Sequence, residues 1–251
     1  MLLLAPCAAA SAQDRGIPAE DIKSGKAFVS RETQEQQDDL TDNPGMLWVE
    51  RGGELWKEPA GPEGKSCASC HGAPESMKGV APRYPLVDEK LGRLVNLETR
   101  IQACVAQHQQ ALVPPYESQE LLALTSLVAH QSRGLPMSVK IDGSAAPFFA
   151  QGDKLFHEKQ GHLDLSCAQC HVENWGKRLR TETLSQGYAN GFPAYRLEWQ
   201  TLGSSHRRLR ACFQGVRAEP FAAGSPEFIA LELYLAWRGQ GLAIETPAVR
   251  R

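Results

Sequence analysis

The chain has 251 residues, 42% hydrophobic and 22% charged, a composition that suits one or two globular domains and excludes disordered and fibrous classes. Its 27 basic and 29 acidic residues leave a formal net charge of -2, so no global field marks a nucleic-acid binder. No apolar run reaches the length of a membrane span, and the seven cysteines, being odd in number, cannot all be paired in disulfides.

In chain order, Met1 to Ala12 reads as the apolar core and small-residue cleavage end of a secretory signal remnant. This predicts cleavage after Ala12 and export to an oxidising compartment, where idle thiols tend to pair. Cys7 falls inside the signal and receives no role. The run Gly52 to Trp56 then has a counterpart at Gly152 to Phe156, and each begins fifteen residues before a C-x-x-C-H motif. Glu120 to Ala129 likewise matches Glu227 to Ala236 at an offset of 107 residues. Each half therefore reads as helix, C-x-x-C-H, variable loops, helix.

The first half closes at Gly134 to Pro136, and Val139 to Ile141 is the one short strand signal. Gly143 to Pro147 is the expected linker, with a boundary near residue 145 between an N-terminal unit, 13–145, and a C-terminal unit, 146–251. The last helix opens on Ser225, Pro226 and Glu227, carries apolar residues at helical spacing (Phe228, Leu231, Leu235), and stops at Gly239.

Cys67, Cys70 and His71, and again Cys167, Cys170 and His171, form the C-x-x-C-H attachment signature of a c-type haem. Both thiols of such a motif add across the haem vinyl groups, and the adjacent imidazole becomes the proximal iron ligand. A four-cysteine zinc site would place its pairs about 15–20 residues apart and has no need of the two histidines. A thioredoxin-type dithiol would need a βαβ setting that is missing, and two short disulfides would leave His71 and His171 unexplained. The expectation is two covalently bound haem c groups. The fold expected around them is mainly α, two cytochrome c-like haem domains in tandem with long loops and little sheet.

A low-spin haem iron needs a second axial ligand, and no methionine follows Met137. Past the second motif the remaining donors are His206 and Cys212. Cys212 has a counterpart, because Cys104 follows His71 much as Cys212 follows His171. The iron ligands assigned are therefore His71 with Cys104 and His171 with Cys212; thiolate ligation favours ferric iron and low potentials. The alternative keeps Cys104 and Cys212 as buried free thiols or as one disulfide. His108, His130, His157 and His162 are assigned no ligand role.

His206, Arg207, Arg208 and Arg210 lead into Cys212, and Arg217 follows it. Cationic surroundings gather small anions and suit a reactive sulfur. Ile101 to Gln107, around Cys104, contain no such charge, so the halves share a plan and differ in chemistry. The simpler account has these arginines binding haem propionates or an acidic partner.

The two motifs, the cysteine after each, Gly61 to Cys67, Leu163 to Cys167, Gly191 to Arg196, the arginine-rich approach to Cys212, and Gly224 to Phe228 leading to Arg238 together resemble the SoxA family. These are dihaem cytochrome c subunits of the thiosulfate-oxidising Sox complex, L-cysteine S-thiosulfotransferases, and the likeness spans essentially the whole mature chain. The resemblance implies a periplasmic heterodimer with a small monohaem cytochrome, subunit X, acting on a sulfur-carrier protein with a C-terminal cysteine arm. Thiosulfate would be joined oxidatively to that cysteine, and two electrons would leave through haem to an acceptor cytochrome c. It also implies that Cys212 occurs as a persulfide, that Arg208 binds substrate and that Arg238 assists. A dihaem electron carrier without bond-making, and a dihaem peroxidase, are the alternatives from other classes.

Overall fold

The computed structural model describes residues 15–251; the expected signal and Cys7 lie outside the described residues. Nine α-helices are joined by long loops and short strands among the described residues, which bears out a mainly helical chain with little sheet. In the first half, α1 (Arg31–Asp38) precedes α2 (Met46–Lys57), α3 (Cys67–His71), α4 (Leu97–Cys104) and α5 (Gln119–His130). In the second half come α6 (Ala146–His157), α7 (Cys167–His171), α8 (Ser205–Gly215) and α9 (Pro226–Arg238). None is long and apolar enough to cross a membrane.

The internal repeat is visible in atoms. α2 crosses α5 and α6 crosses α9, and at each crossing a glycine admits the partner's backbone. A Cβ on Gly52 would stand 2.4 Å from the Ala123 carbonyl oxygen, and one on Gly152 would stand 2.1 Å from that of Ala230. Both values are far inside van der Waals contact, so the crossings are closed because the residue is glycine. The short motif helices repeat too: Ser66 and Ser166 cap α3 and α7, each in a capping box completed by Ser69 or Gln169.

The two crossings seed two cores. Val49, Trp56, Leu97 and Leu127 form the smaller. The larger gathers Phe149, Phe156, Leu209, Phe213 and Phe228, and takes in Leu94, Met137 and Val139 from before residue 145. Val139 to Ile141 is not a strand, and Gly143 to Pro147 forms a 3-10 turn and the start of α6 instead of an open linker. Pro147 fits there because the first turn of a helix has no use for its missing N–H.

The strands sit elsewhere. β1 (Leu86–Asp88) pairs antiparallel with β2 (Arg93–Val95), and β3 (Arg178–Leu179) with β4 (Glu182–Thr183). β5 (Ala194–Arg196) is flanked by antiparallel β6 (Thr201–Gly203) and by parallel β7 (Ala248–Arg250), from the chain's end. The N-terminal segment also reaches the second half. Lys23 N–H donates to Gln186 Oε1 (2.8 Å), Gln186 Nε2 donates to the Asp21 carbonyl (2.8 Å), and Gln37 Oε1 accepts from Val249 N–H (3.2 Å).

Candidate active site

In the second half the capped start of α7 puts Cys167 and Cys170 on one helical turn and leaves His171 at the helix end. His171 Nδ1 donates to the Ser185 carbonyl at 2.7 Å, which fixes the ring and leaves Nε2 as its acceptor nitrogen. Burial holds this imidazole down to a pKa of about 4, so it is neutral near pH 7. Gly187 lies against the ring. Its φ of +73° is left-handed, and a Cβ there would come within 2.8 Å of His171 Cγ, so the position demands glycine twice over.

His171 and Cys167 open onto a cavity of about 710 Å³. The opposite contribution comes from α8, which begins on Ser204, whose hydroxyl accepts from the His206 and Arg207 N–H groups at 3.1 and 3.3 Å. Arg208 and Cys212, four residues apart, lie on one helix face and both line the cavity. The other basic residues of this stretch turn elsewhere: Arg207 packs its guanidinium 4.3 Å from the Trp199 ring centroid, and Arg210 and Arg217 are exposed. Arg178 and Arg196 line the cavity instead. Arg196 belongs to β5, 54 residues before its parallel partner β7, and no local sequence signal places it beside Cys212.

His206, the rival donor to Cys212, is fully buried and spent on other contacts. Its Nδ1 accepts from Gly224 N–H (2.9 Å) and its Nε2 meets Glu232 Oε2 (2.9 Å). Asn96 Nδ2 also donates to Glu232 (3.0 Å) and to the Tyr116 hydroxyl (2.7 Å), and Tyr116 stacks on His206. Burial, with the nearby Glu232 carboxylate second, pushes Glu98 well above the usual carboxylate range. This cluster joins α4 of the first half to α8 and α9 of the second.

Arg238 lies outside the cavity lining and acts electrostatically on His171. It is fully buried, donates from Nη1 to the Gln186 carbonyl (3.0 Å), and places its guanidinium 4.5 Å from the Phe156 ring centroid and 5.3 Å from that of Tyr188.

The first half builds the same motif in a more open setting. Trp56 Nε1 donates to the Gly72 carbonyl (2.8 Å), and its ring lies 5.8 Å from that of His71. Cys70 and His71 are exposed, whereas Cys67 and Cys104 are half-buried, and burial raises both thiols. Cys104 ends α4 and feels Cys70 electrostatically, as Cys167 and Cys170 feel Cys212. No disulfide joins any of the six described cysteines, so Cys104 and Cys212 are not joined to each other.

The donor set fits haem c: paired thiols, a neutral imidazole with its outer nitrogen already bonded, and a cavity with apolar and cationic walls. Residues 51–137 match the family model described as SoxA/TsdA, cytochrome c domain. The L-cysteine S-thiosulfotransferase subunit SoxA of Rhodovulum sulfidophilum is 43% identical over 92% of this chain and 81% of its own length. That of Pseudaminobacter salicylatoxidans is 42% identical over 98% of this chain and 87% of its own. The crystal structure of SoxXA from P. pantotrophus superposes with a TM-score of 0.89 at 42% identity, covering 92% of this chain and 87% of that one. A haem-c donor set, a cytochrome c domain match and full-length relatives at this identity agree: the chain belongs to the SoxA family of cytochromes c and binds haem c covalently.

Proposed function

We propose that the chain conjugates thiosulfate oxidatively to a cysteine of a sulfur-carrier protein: carrier-SH + S2O3²⁻ → carrier-S-S-SO3⁻ + H⁺ + 2 e⁻. The observation that carries this reading is the meeting of His171, Cys212 and Arg208 on one cavity. Arg100 likewise stands one turn before Cys104, but it is ion-paired with Asp88, whereas Arg208 lines a cavity with room for a ligand beside Cys212. The names of the relatives, L-cysteine S-thiosulfotransferase subunit SoxA, support the same chemistry.

Two haems are assigned. Cys67, Cys70, His71 and Cys104 would hold one; Cys167, Cys170, His171 and Cys212 would hold the other, in an N-terminal unit of 13–145 and a C-terminal catalytic unit of 146–251. Bound haem supplies the one-electron redox chemistry that passes both electrons to an acceptor cytochrome c. The chain's own residues do the rest. Arg208 neutralises part of the thiosulfate dianion so that sulfur can approach sulfur, and Cys212 offers its sulfur on the same wall. Arg238 takes a positioning part: by holding the Gln186 carbonyl it steadies the Ser185–Gly187 segment that aims His171. The solved SoxXA supports a heterodimer with a small monohaem subunit X, and the secretory signal reading supports a periplasmic site of action.

Denaturing mass spectrometry of the mature chain is expected to show two haem additions; a single addition would remove the first-half assignment. Arg208→Ala tests the function. Loss of one charge-assisted contact is expected to lower thiosulfate-dependent reduction of cytochrome c roughly 10- to 150-fold, with both haem spectra nearly intact. Full activity in this variant would return the protein to plain electron transfer.

A further inference from the structure

The cavity wall holds a second arginine and a carboxylate that the reaction as described does not use. Arg196 is almost wholly buried, with 6% of its side chain exposed. Its Nη2 donates to Glu182 Oε1 at 3.0 Å, while the other oxygen of the same carboxylate, Oε2, stands 3.6 Å from Arg208 Nη2. Glu182 therefore bridges the two guanidiniums. Glu198 adds a longer contact to Arg196 at 3.5 Å, and Trp199 lies under the guanidinium, 5.1 Å from centre to centre. Arg196 Nε is buried with no hydrogen-bond partner among the described residues.

Charge makes this arrangement telling. Only Glu182 spans both guanidiniums, since the mostly exposed Glu198 touches Arg196 alone, and burial and the proximity of Arg208 both weigh against the charge on Arg196. A dianion in the place of Glu182 would bring a second negative charge between the two cations, and a sulfonate presents three acceptor oxygens to donors that a carboxylate serves with two. The carboxylate is also the movable member. Glu182 is half-exposed and sits on the β3–β4 hairpin, whose strands are two residues long and whose turn passes through left-handed Arg180. Arg196 is fixed in the three-stranded sheet and Arg208 in α8.

We propose that Glu182 is a tethered stand-in for the thiosulfate anion. It holds Arg196 and Arg208 together before substrate arrives and swings out as the dianion takes its place, which makes Arg196 the second arginine of the anion site. This rests on the reading of the cavity as the thiosulfate site. A carboxylate of a haem propionate shares the chemistry that these arginines recognise, and the test separates the two.

The experiment measures equilibrium binding of thiosulfate by calorimetry to the haem-loaded complex with its partner subunit, the carrier protein being left out. Glu182→Gln keeps the shape and removes the competing charge; it is expected to tighten the Kd roughly 3- to 10-fold, and Arg196→Gln to weaken it roughly 10-fold or more. Arg196→Lys, which keeps the charge and loses the fork, is expected to fall between the wild type and Arg196→Gln. An unchanged or weaker Kd for Glu182→Gln overturns the stand-in. An Arg196→Gln variant that shifts the haem reduction potential but leaves the Kd alone assigns Arg196 to a propionate and overturns its place in the anion site. If Arg208→Ala also leaves the Kd unchanged, the cavity is not the thiosulfate site and both readings fall together.

Discussion

Replacing Cys212 by methionine is expected to abolish conjugation, with a loss on the order of 10³-fold or more, the scale of removing a reacting group outright. Methionine still offers sulfur to iron, so haem content and a six-coordinate spectrum should survive. What disappears is the thiol chemistry beside Arg208 on the cavity wall. Cys104→Met is the matched comparison: Cys104 stands in the open first-half site, where the arginine one turn before it, Arg100, is ion-paired with Asp88. It should change the spectrum of that site and reduce conjugation far less. The measurement is thiosulfate-dependent cytochrome c reduction with carrier protein and subunit X present. Full turnover by Cys212→Met would make Cys212 a ligand and nothing more.

A large stability effect is expected at Gly152. A methyl group there meets the Ala230 carbonyl oxygen at 2.1 Å and Tyr234 Cβ at 2.9 Å, both on α9, so α6 and α9 must move apart. Separation opens the core around Phe149, Phe156 and Phe228, beside the segment that holds His171. Overpacking of this kind costs about 1–3 kcal/mol and more where backbone is hit, only part of which the better helix propensity of alanine offsets. A fall in Tm of roughly 5–10 °C is expected for Gly152→Ala. Gly53, one position from the other crossing, has open space around its Cβ direction. Gly53→Ala should therefore leave the Tm unchanged or raise it slightly. Calorimetric melts of the pair decide the matter: equal shifts would mean that the crossing is not glycine-limited.

The features legible in the sequence are those written in local spacing. C-x-x-C-H needs five consecutive residues, and the helix pairs show in the repeated runs around Gly52, Gly152, Glu120 and Glu227. Ser225 and Gly239 bracket the last helix as their residue types predict. What was not legible depends on contacts made far along the chain. The β5–β7 pairing joins strands of three residues with no alternation long enough to read. The N-terminal segment that lines the cavity with Gly25, Phe28 and Val29 is recruited through side-chain amides such as Gln186. Arg210 and Arg217 illustrate the opposite error: nearness to Cys212 in sequence suggested a role, yet helix phase sends Arg210 to solvent and the turn after α8 does the same for Arg217. Arg178 and Arg196, remote from Cys212 in sequence, line the cavity with Arg208.

The acid pair between the halves carries a consequence for how the protein responds to rising pH. Glu98 reaches from α4 toward Glu232 on α9, whose Oε2 meets His206 Nε2 and accepts from Asn96 Nδ2. Glu117 also faces this seam and adds to the cost of a second negative charge, while burial and Glu98 hold the Tyr116 hydroxyl well above its ordinary value and therefore neutral. Folding thus favours the protonated form of Glu98, whose folded value lies above its unfolded one. Its contribution to stability is complete below the ordinary carboxylate value and is lost as pH rises through the raised one. Because the seam fastens the start of α8, the helix of Arg208 and Cys212, to the first half, its deprotonation loosens the very wall on which substrate would be held. Raising the pH above the ordinary carboxylate range should then erode the juncture between the halves before either helix crossing gives way.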